Sequence, residues 1–249
     1  MFVTARSFPL RHAFSTREGG VSEGPFAALN LGRSVGDDPE RVEQNGRLFA
    51  AALGLSAGQL VSADQVHGDR ILEIAAATPG DALPPAVGEA DGLITRARGV
   101  ALCIRTADCV PVLVWAPDVG AIAAVHAGWR GAVRAIARSA VERLHEAYGA
   151  DPARMVAAIG PSIRRCCYEV SGQLAGQFTQ RFGVAVAEAQ GGRPHLDVAE
   201  ASRLALLEAG LEAAAIEVAP HCTSCDPALF FSHRRDRGRT GRHLACVVL

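Results

Sequence analysis

Three short segments concentrate the chemistry this chain could perform: Ser62-Ala-Asp-Gln-Val-His-Gly68, Thr106-Ala-Asp-Cys-Val-Pro111 and Val125-His-Ala-Gly-Trp-Arg-Gly131. Each sets a His or Cys beside Gly or Asp at the end of an apolar stretch. Such places present a side chain at a cleft and let backbone approach a ligand closely. If His67 joins Cys109 and His126, the set offers two imidazoles and a thiolate, which suits Zn²⁺ or copper with one open position. Cys109 and His126 alone read equally well as a nucleophile and its base. A small buried Cys with two loop histidines is the plainer alternative.

The elements that must position these residues are partly legible. Val100–Ile104, Val110–Trp115 and Ala121–His126 are strand-like. The last two are joined by the turn Ala116-Pro-Asp-Val-Gly120, which predicts a β-hairpin. Cys109 opens one strand and His126 closes the other, so antiparallel pairing brings them together. Val133, Ile136, Ala137, Ala140, Val141 and Leu144 share one helical face and predict a helix that stops near Gly149. Met155–Ile159 reads as a strand, Val198–Ala209 as a helix and Leu244–Leu249 as a terminal strand, with a Pro/Gly/Ala-rich loop from Ala75 to Gly92. Strands and helices do not alternate regularly, so the expectation is α+β, with mixed β-sheets packed by helices in one domain spanning 1–249.

Composition narrows the mechanism. The 25 basic residues are all arginine. Schiff-base chemistry and P-loop phosphate binding through lysine are therefore excluded. Any bound anion must meet arginine, backbone N–H groups, a helix N-terminus or a metal. A net charge of −1 with dispersed arginines does not suggest a nucleic-acid partner. Met1–Phe14 has no signal-like apolar core, and no apolar run is long enough to span a membrane, so a cytoplasmic protein is expected. Seven cysteines, an odd number, argue against a disulfide framework.

The chain resembles the YfiH family, also called the laccase-domain or polyphenol-oxidase-like family. The resemblance rests on His12-Ala-Phe-Ser-Thr-Arg-Glu-Gly-Gly-Val-Ser22, Leu29-Asn-Leu-Gly32, Gln65-Val-His-Gly68, Thr106-Ala-Asp-Cys-Val-Pro111 and His126-Ala-Gly-Trp-Arg-Gly131. It continues through Ile159-Gly-Pro161, Cys167-Tyr-Glu-Val170, Phe231-Ser-His-Arg-Arg-Asp236 and Gly241-Arg242. It implies a fold distantly similar to cysteine-hydrolase toxins of the CNF deamidase kind. It also implies a zinc site at His67, Cys109 and His126 (copper as the alternative metal). The implied activity is phosphorolysis of adenosine, inosine and methylthioadenosine, with deamination of adenosine. Peptidoglycan-precursor editing by a Cys–His amidase and phenol oxidation are the other activities attached to the family. The partners are then a purine nucleoside and phosphate, and the expected state is a monomer.

Roles follow for single residues. Arg130, beside Gly128 and Gly131 at the start of the expected helix, and Arg17, in a Gly-rich turn, are the phosphate candidates. Asp108 is a candidate general acid or base, although in a strand it would face away from Cys109. Gln65, two residues from His67, would face the same side in an extended segment and could bond a substrate hydroxyl. Phe231 offers an aromatic face for a purine, weighed against a packed strand. Cys222 and Cys225 have CxxC spacing but no partner pair in sequence, and Cys166–Cys167 reads as core plus rim. Arg164 and Arg165 stand where the family pattern has small residues, and would alter the cleft rim or sit in solvent.

Overall fold

Alternation along the central strands sets the architecture. The protein is described here by a computed structural model covering residues 1–249. In chain order it contains β1 (Phe2–Val3), β2 (His12–Ser15), α1 (Pro39–Ala52), β3 (Leu60–Ser62), β4 (Ile71–Glu73), β5 (Gly92–Thr95), β6 (Ala101–Thr106), β7 (Val110–Ala116) and β8 (Ala121–Ala127). These are followed by α2 (Trp129–Val133), α3 (Ile136–Tyr148), β9 (Val156–Ile159), α4 (Gly172–Phe182), β10 (Ala187–Gln190), β11 (Arg193–Leu196), α5 (Val198–Glu208), β12 (Ile216–Val218) and β13 (His243–Val248). The larger sheet runs β12-β9-β7-β8-β5-β4 and the second runs β1-β2-β13-β6-β3, with β10 and β11 forming a separate ribbon. Both large sheets are mixed: β3 runs parallel to β6, β4 to β5 and β12 to β9, while every other pair is antiparallel.

Successive side chains of a strand point to opposite faces, and here both faces of both sheets are covered. Leu102 and Ile104 of β6, Ala245 and Val247 of β13, Leu113 of β7 and Ile122 of β8 fill the space between the sheets. Val112, Val114, Ala123 and Val125, the alternate residues of β7 and β8, pack instead on Ile136, Ala140, Val141 and Leu144 of α3 and on Ala205 and Leu206 of α5. Ala101, Cys103, Leu244 and Cys246 face Phe49 and Ala50 of α1 on the far side. The result is α+β in four layers: helix, sheet, sheet, helices. Full burial of Leu113 or Ile122 stabilises by about 1.5–3 kcal/mol each. Helix ends are set by local chemistry. Asp38, Ser171 and Asp197 cap α1, α4 and α5 by accepting from Glu40 N, Leu174 N and Glu200 N, and α3 stops at Gly149 in the left-handed region.

The expected hairpin is β7–β8, with Val110 opposite Ala127 and Pro111 opposite His126. The single helix expected after it is two. Ala135 adopts φ 60°, splitting α2 from α3. A Cβ on Gly131 would lie 2.6 Å from the Gly68 carbonyl oxygen, so α2 is seated against the His67 turn while α3 follows the sheet. Apolar spacing reports burial, and burial survives the kink, so periodicity does not reveal it.

Candidate active site

Three chain passages cross between the large sheets at one end of the sandwich, β3 to β4, β6 to β7 and β12 to β13, and the first two carry His67 and Cys109. β3 leads to β4 through Gln65–Gly68, and β6 leads to β7 through Ala107–Cys109. Because β3 and β6 are parallel, both passages leave the same end of the sandwich. β8 ends there too, with His126 one residue from its close. The result is that His67, Cys109 and His126 present ligand atoms all within 4.8 Å of one another. The two imidazole rings stand nearly perpendicular, centroids 4.8 Å apart. Gly128 makes this approach possible, since a Cβ there would lie 2.9 Å from His67 Cδ2 and 3.5 Å from both Cys109 Sγ and His126 Cε1.

Asp91, fully buried just before β5, organises the cluster. Its Oδ1 accepts from His126 Nδ1 at 2.7 Å and from His67 N at 3.0 Å, and its Oδ2 accepts from Gly68 N at 2.6 Å and Val66 N at 3.2 Å. These bonds hold the left-handed turn at His67 (φ 58°) and fix the His126 tautomer, leaving Nε2 for the cleft. Burial opposes ionisation of Asp91, but the bonds from His126 and Gly68 outweigh it and hold its carboxyl below the usual range. Cys109 and His126 are coupled. Burial raises the thiol, yet the charge and hydrogen bonds of His126 and His67 bring it down to about 6. Burial lowers His126, yet Cys109 and Asp91 raise it to about 9. Without metal the pair is therefore thiolate and imidazolium near neutrality.

A cavity of about 780 Å³ opens over the cluster. Five arginines line it, Arg33, Arg105, Arg130, Arg234 and Arg242, and so do the aromatic rings of Trp129 and Tyr168. Arg130 stacks on Trp129 at 4.5 Å and Arg234 on Tyr168 at 4.9 Å. Burial, then the nearby Cys109 charge, raises the Tyr168 phenol above its ordinary value, so its hydroxyl stays protonated.

The other expected residues fall differently. Asp108 is not in a strand. It turns at φ 87° between β6 and β7, and its carboxylate accepts from Thr223 Oγ1 and Arg234 N, each at 2.6 Å. Its place is that of a brace for the C-terminal segment at the cleft wall. Gln65 lines the cleft, but its amide is spent on the backbone of Arg105, donating to the carbonyl and accepting from the N–H, each at 2.7 Å. It pins the His67 loop to β6, and the loop's left-handed turn removes the extended geometry expected of it. Arg17 lies outside the cleft lining. Its guanidinium donates to the carbonyls of Ala27 and Pro227 and covers the Phe231 ring at 4.7 Å. Phe231 itself is fully buried against His243, so the cleft's aromatic faces are Trp129 and Tyr168. Arg164 and Arg165 do not reach the cleft. Both pair with Asp197 at the start of α5. Cys166 and Cys167 are not core residues but gather with Cys222 and Cys225.

Sequence reasoning missed Asp91, which lies 35 positions from His126 inside what reads as a loop. It also missed Arg105 and gave no role to Tyr168 or Arg242, although both fall within the quoted motifs. The signal available for Arg242 is its place immediately before β13, whose first residue pairs with Thr106 at the cleft end of β6.

The cluster's donor set fits a metal. Two imidazoles and a thiolate converge, a glycine is where a side chain would block them, and an acid orients one ligand from behind. Residues 11–249 match the family model described as multi-copper polyphenol oxidoreductase laccase. The chain is 43% identical over 246 residues to a protein of Deinococcus radiodurans named purine nucleoside phosphorylase, covering 98% of this chain and 91% of that one. The crystal structure of YlmD from Geobacillus stearothermophilus superposes with a TM-score of 0.92 at 39% identity, covering 98% and 93% of the two chains. That of a Bacillus licheniformis hypothetical protein, YfiH, gives 0.89 at 36%, covering 96% and 92%.

Proposed function

The chain belongs to the laccase-domain family of YfiH and YlmD, and from that membership we propose that it is a zinc-dependent purine nucleoside phosphorylase. Adenosine, inosine and methylthioadenosine are its substrates, and deamination of adenosine is a side activity. One observation carries the reading: a His₂Cys donor set opens into a cavity walled by five arginines and two aromatic rings. That lining would serve a metal, an anion and a purine face in one place. The phosphorylase name of the Deinococcus radiodurans relative supports it.

His67, Cys109 and His126 would hold the zinc, which when bound supplies a Lewis-acidic positive charge at the cleft floor. The surrounding residues do the rest. Arg130, with Arg105 and Arg242 in place of Arg17, binds phosphate, since guanidinium forks match its oxygens. An oxygen of hydrogen phosphate then attacks C1′ of the ribose, the glycosidic bond breaks, and its electron pair leaves with the purine, which takes up the proton that the phosphate gives up on becoming the ribose-1-phosphate dianion. Tyr168, kept neutral, offers its hydroxyl as a hydrogen-bond donor to the base, and Trp129 covers the site. Gln65 and Asp108 position this machinery through Arg105 and Arg234.

Incubation with adenosine, with and without phosphate, tests the reading by product analysis. Adenine and ribose-1-phosphate should appear only with phosphate, and inosine should appear without it. Cys109→Ala and His126→Ala should each lose the metal of the His₂Cys cluster and turnover together. No base released from any of the three nucleosides with phosphate present would sink the proposal.

The Cys109 thiolate beside His126 favours one second reading, a Cys–His amidase acting on peptidoglycan precursors, in keeping with a cysteine-hydrolase type of fold. It requires an acyl adduct on Cys109, which mass spectrometry of protein trapped with an amide substrate would reveal. Copper oxidation is less well served. The cleft gathers a single His₂Cys donor set, not the clustered histidines that a multicopper centre needs.

A further inference from the structure

Cys166, Cys167, Cys222 and Cys225 bring four sulfurs within 4.8 Å of one another, and none of the four lines the cleft over the His₂Cys cluster. From sequence, the CxxC pair lacks a partner pair. The fold supplies one. An isolated bridge between Ser162 and Cys222, with Thr223 N donating to the Ser162 carbonyl at 3.1 Å, lays the two cysteine-bearing loops side by side. Each loop is a tight turn. Cys167 N and Tyr168 N donate to the Arg164 carbonyl at 2.9 and 3.0 Å, and Cys225 N donates to the Cys222 carbonyl at 3.2 Å.

We propose that these four cysteines form a structural zinc site, distinct from the His₂Cys cluster and independent of the reading of that cluster as a phosphorylase centre. A tetrahedron with Zn–S bonds of about 2.3 Å has edges of about 3.8 Å. The sulfurs already approach this spacing, with Cys225 Sγ 3.5 Å from Cys166 Sγ and 3.3 Å from Cys167 Sγ. Cys225 is thus shared almost equally between two neighbours, which singles out no disulfide pair and suits one ion holding all four. Arg164 N reaches Cys222 Sγ at 3.5 Å, the kind of outer hydrogen bond that orients and stabilises a ligating thiolate. With all four positions filled by protein, the site has no room for substrate and is structural. Zinc binding displaces the thiol protons and leaves a dianionic centre.

Its work in the fold is to fix the cleft wall. Thr223, inside the CxxC turn, donates to Asp108, the neighbour of Cys109. Tyr168 follows Cys167 directly. The zinc-bound loops would therefore hold both the Asp108 brace and the Tyr168 ring in place.

Metal analysis of the purified full-length chain decides the matter. Wild type should carry about two zinc ions, and Cys166→Ser/Cys225→Ser about one. Cys109→Ala/His126→Ala keeps all four cysteines and should still carry about one. Cobalt added to that second variant should give the intense thiolate charge-transfer and ligand-field spectrum of a tetrahedral CoS₄ centre. Should the serine variant fail to fold, the Cys109→Ala/His126→Ala protein gives the answer by itself. Absence of zinc and of the cobalt spectrum in it would overturn the proposal, as would a disulfide among the four cysteines in peptide mapping of wild type.

Discussion

Asp91 determines what His126 can be. Its carboxylate takes the Nδ1 hydrogen, so Nε2 is the only nitrogen His126 can offer to a ligand. Asp91→Asn keeps the shape and loses the charge. Zinc affinity at the His₂Cys cluster should fall by roughly 10–100-fold, read by competition with a chelator. An unchanged affinity would remove Asp91 from the site. Cys109 supports a pH test on metal-free protein. Its thiol is held at about 6, so it is thiolate above that pH and protonated below it. Alkylation by iodoacetamide should fall as pH drops through about 6, rather than through the range near 8.5 of a free thiol. In His126→Ala, burial acts with much less opposition and the midpoint should move up. At this scale the sequence showed donors and not what orients them. His67, Cys109 and His126 are chemically conspicuous, whereas Asp91 is one acid among 26 acidic residues until the fold puts it behind His126.

Elements explain why the donors meet. β7 and β8 were legible because their apolar runs flank a Pro-Asp turn, and that hairpin alone places Cys109 beside His126. His67 was not placeable, because its position depends on β3 pairing parallel with β6, a contact that leaves no local trace. The α2–α3 break was hidden for another reason, because apolar spacing reports burial and burial survives the kink at Ala135. Gly128, where β8 hands over to α2, tests how tightly these elements converge. Its φ of −69° and ψ of 164° suit any residue, so Gly128→Ala carries no backbone strain. The added Cβ meets His67 at 2.9 Å. Such overpacking costs about 1–3 kcal/mol. The variant should melt cooperatively, a few degrees lower, and lose zinc from the His₂Cys cluster. Full zinc occupancy at that cluster would mean that the His67 turn yields freely.

For the whole molecule, charge is near balance at −1, yet its distribution is not even. Five arginines converge on one cleft against two lining acids, Asp64 and Asp108, and Asp108 is already engaged by Thr223 and the Arg234 backbone. A concave cationic wall concentrates anions and draws them in, and salt screens that attraction. The Debye length shrinks from about 10 Å at 0.1 M to about 3 Å at 1 M salt, so KM for phosphate should rise steeply across that range. KM for a neutral nucleoside should change far less. Arg130 is the best probe of the wall. It is exposed and stacks only on Trp129, so Arg130→Gln should leave the melting temperature within a degree or two. Removing one charge-assisted contact worth about 1.5–3 kcal/mol should raise KM for phosphate by roughly 10–100-fold and flatten its salt dependence. A phosphate KM that ignores both salt and Arg130→Gln would place the anion elsewhere. In a chain without lysine, Arg33, Arg105, Arg234 and Arg242 would then be the next positions to substitute.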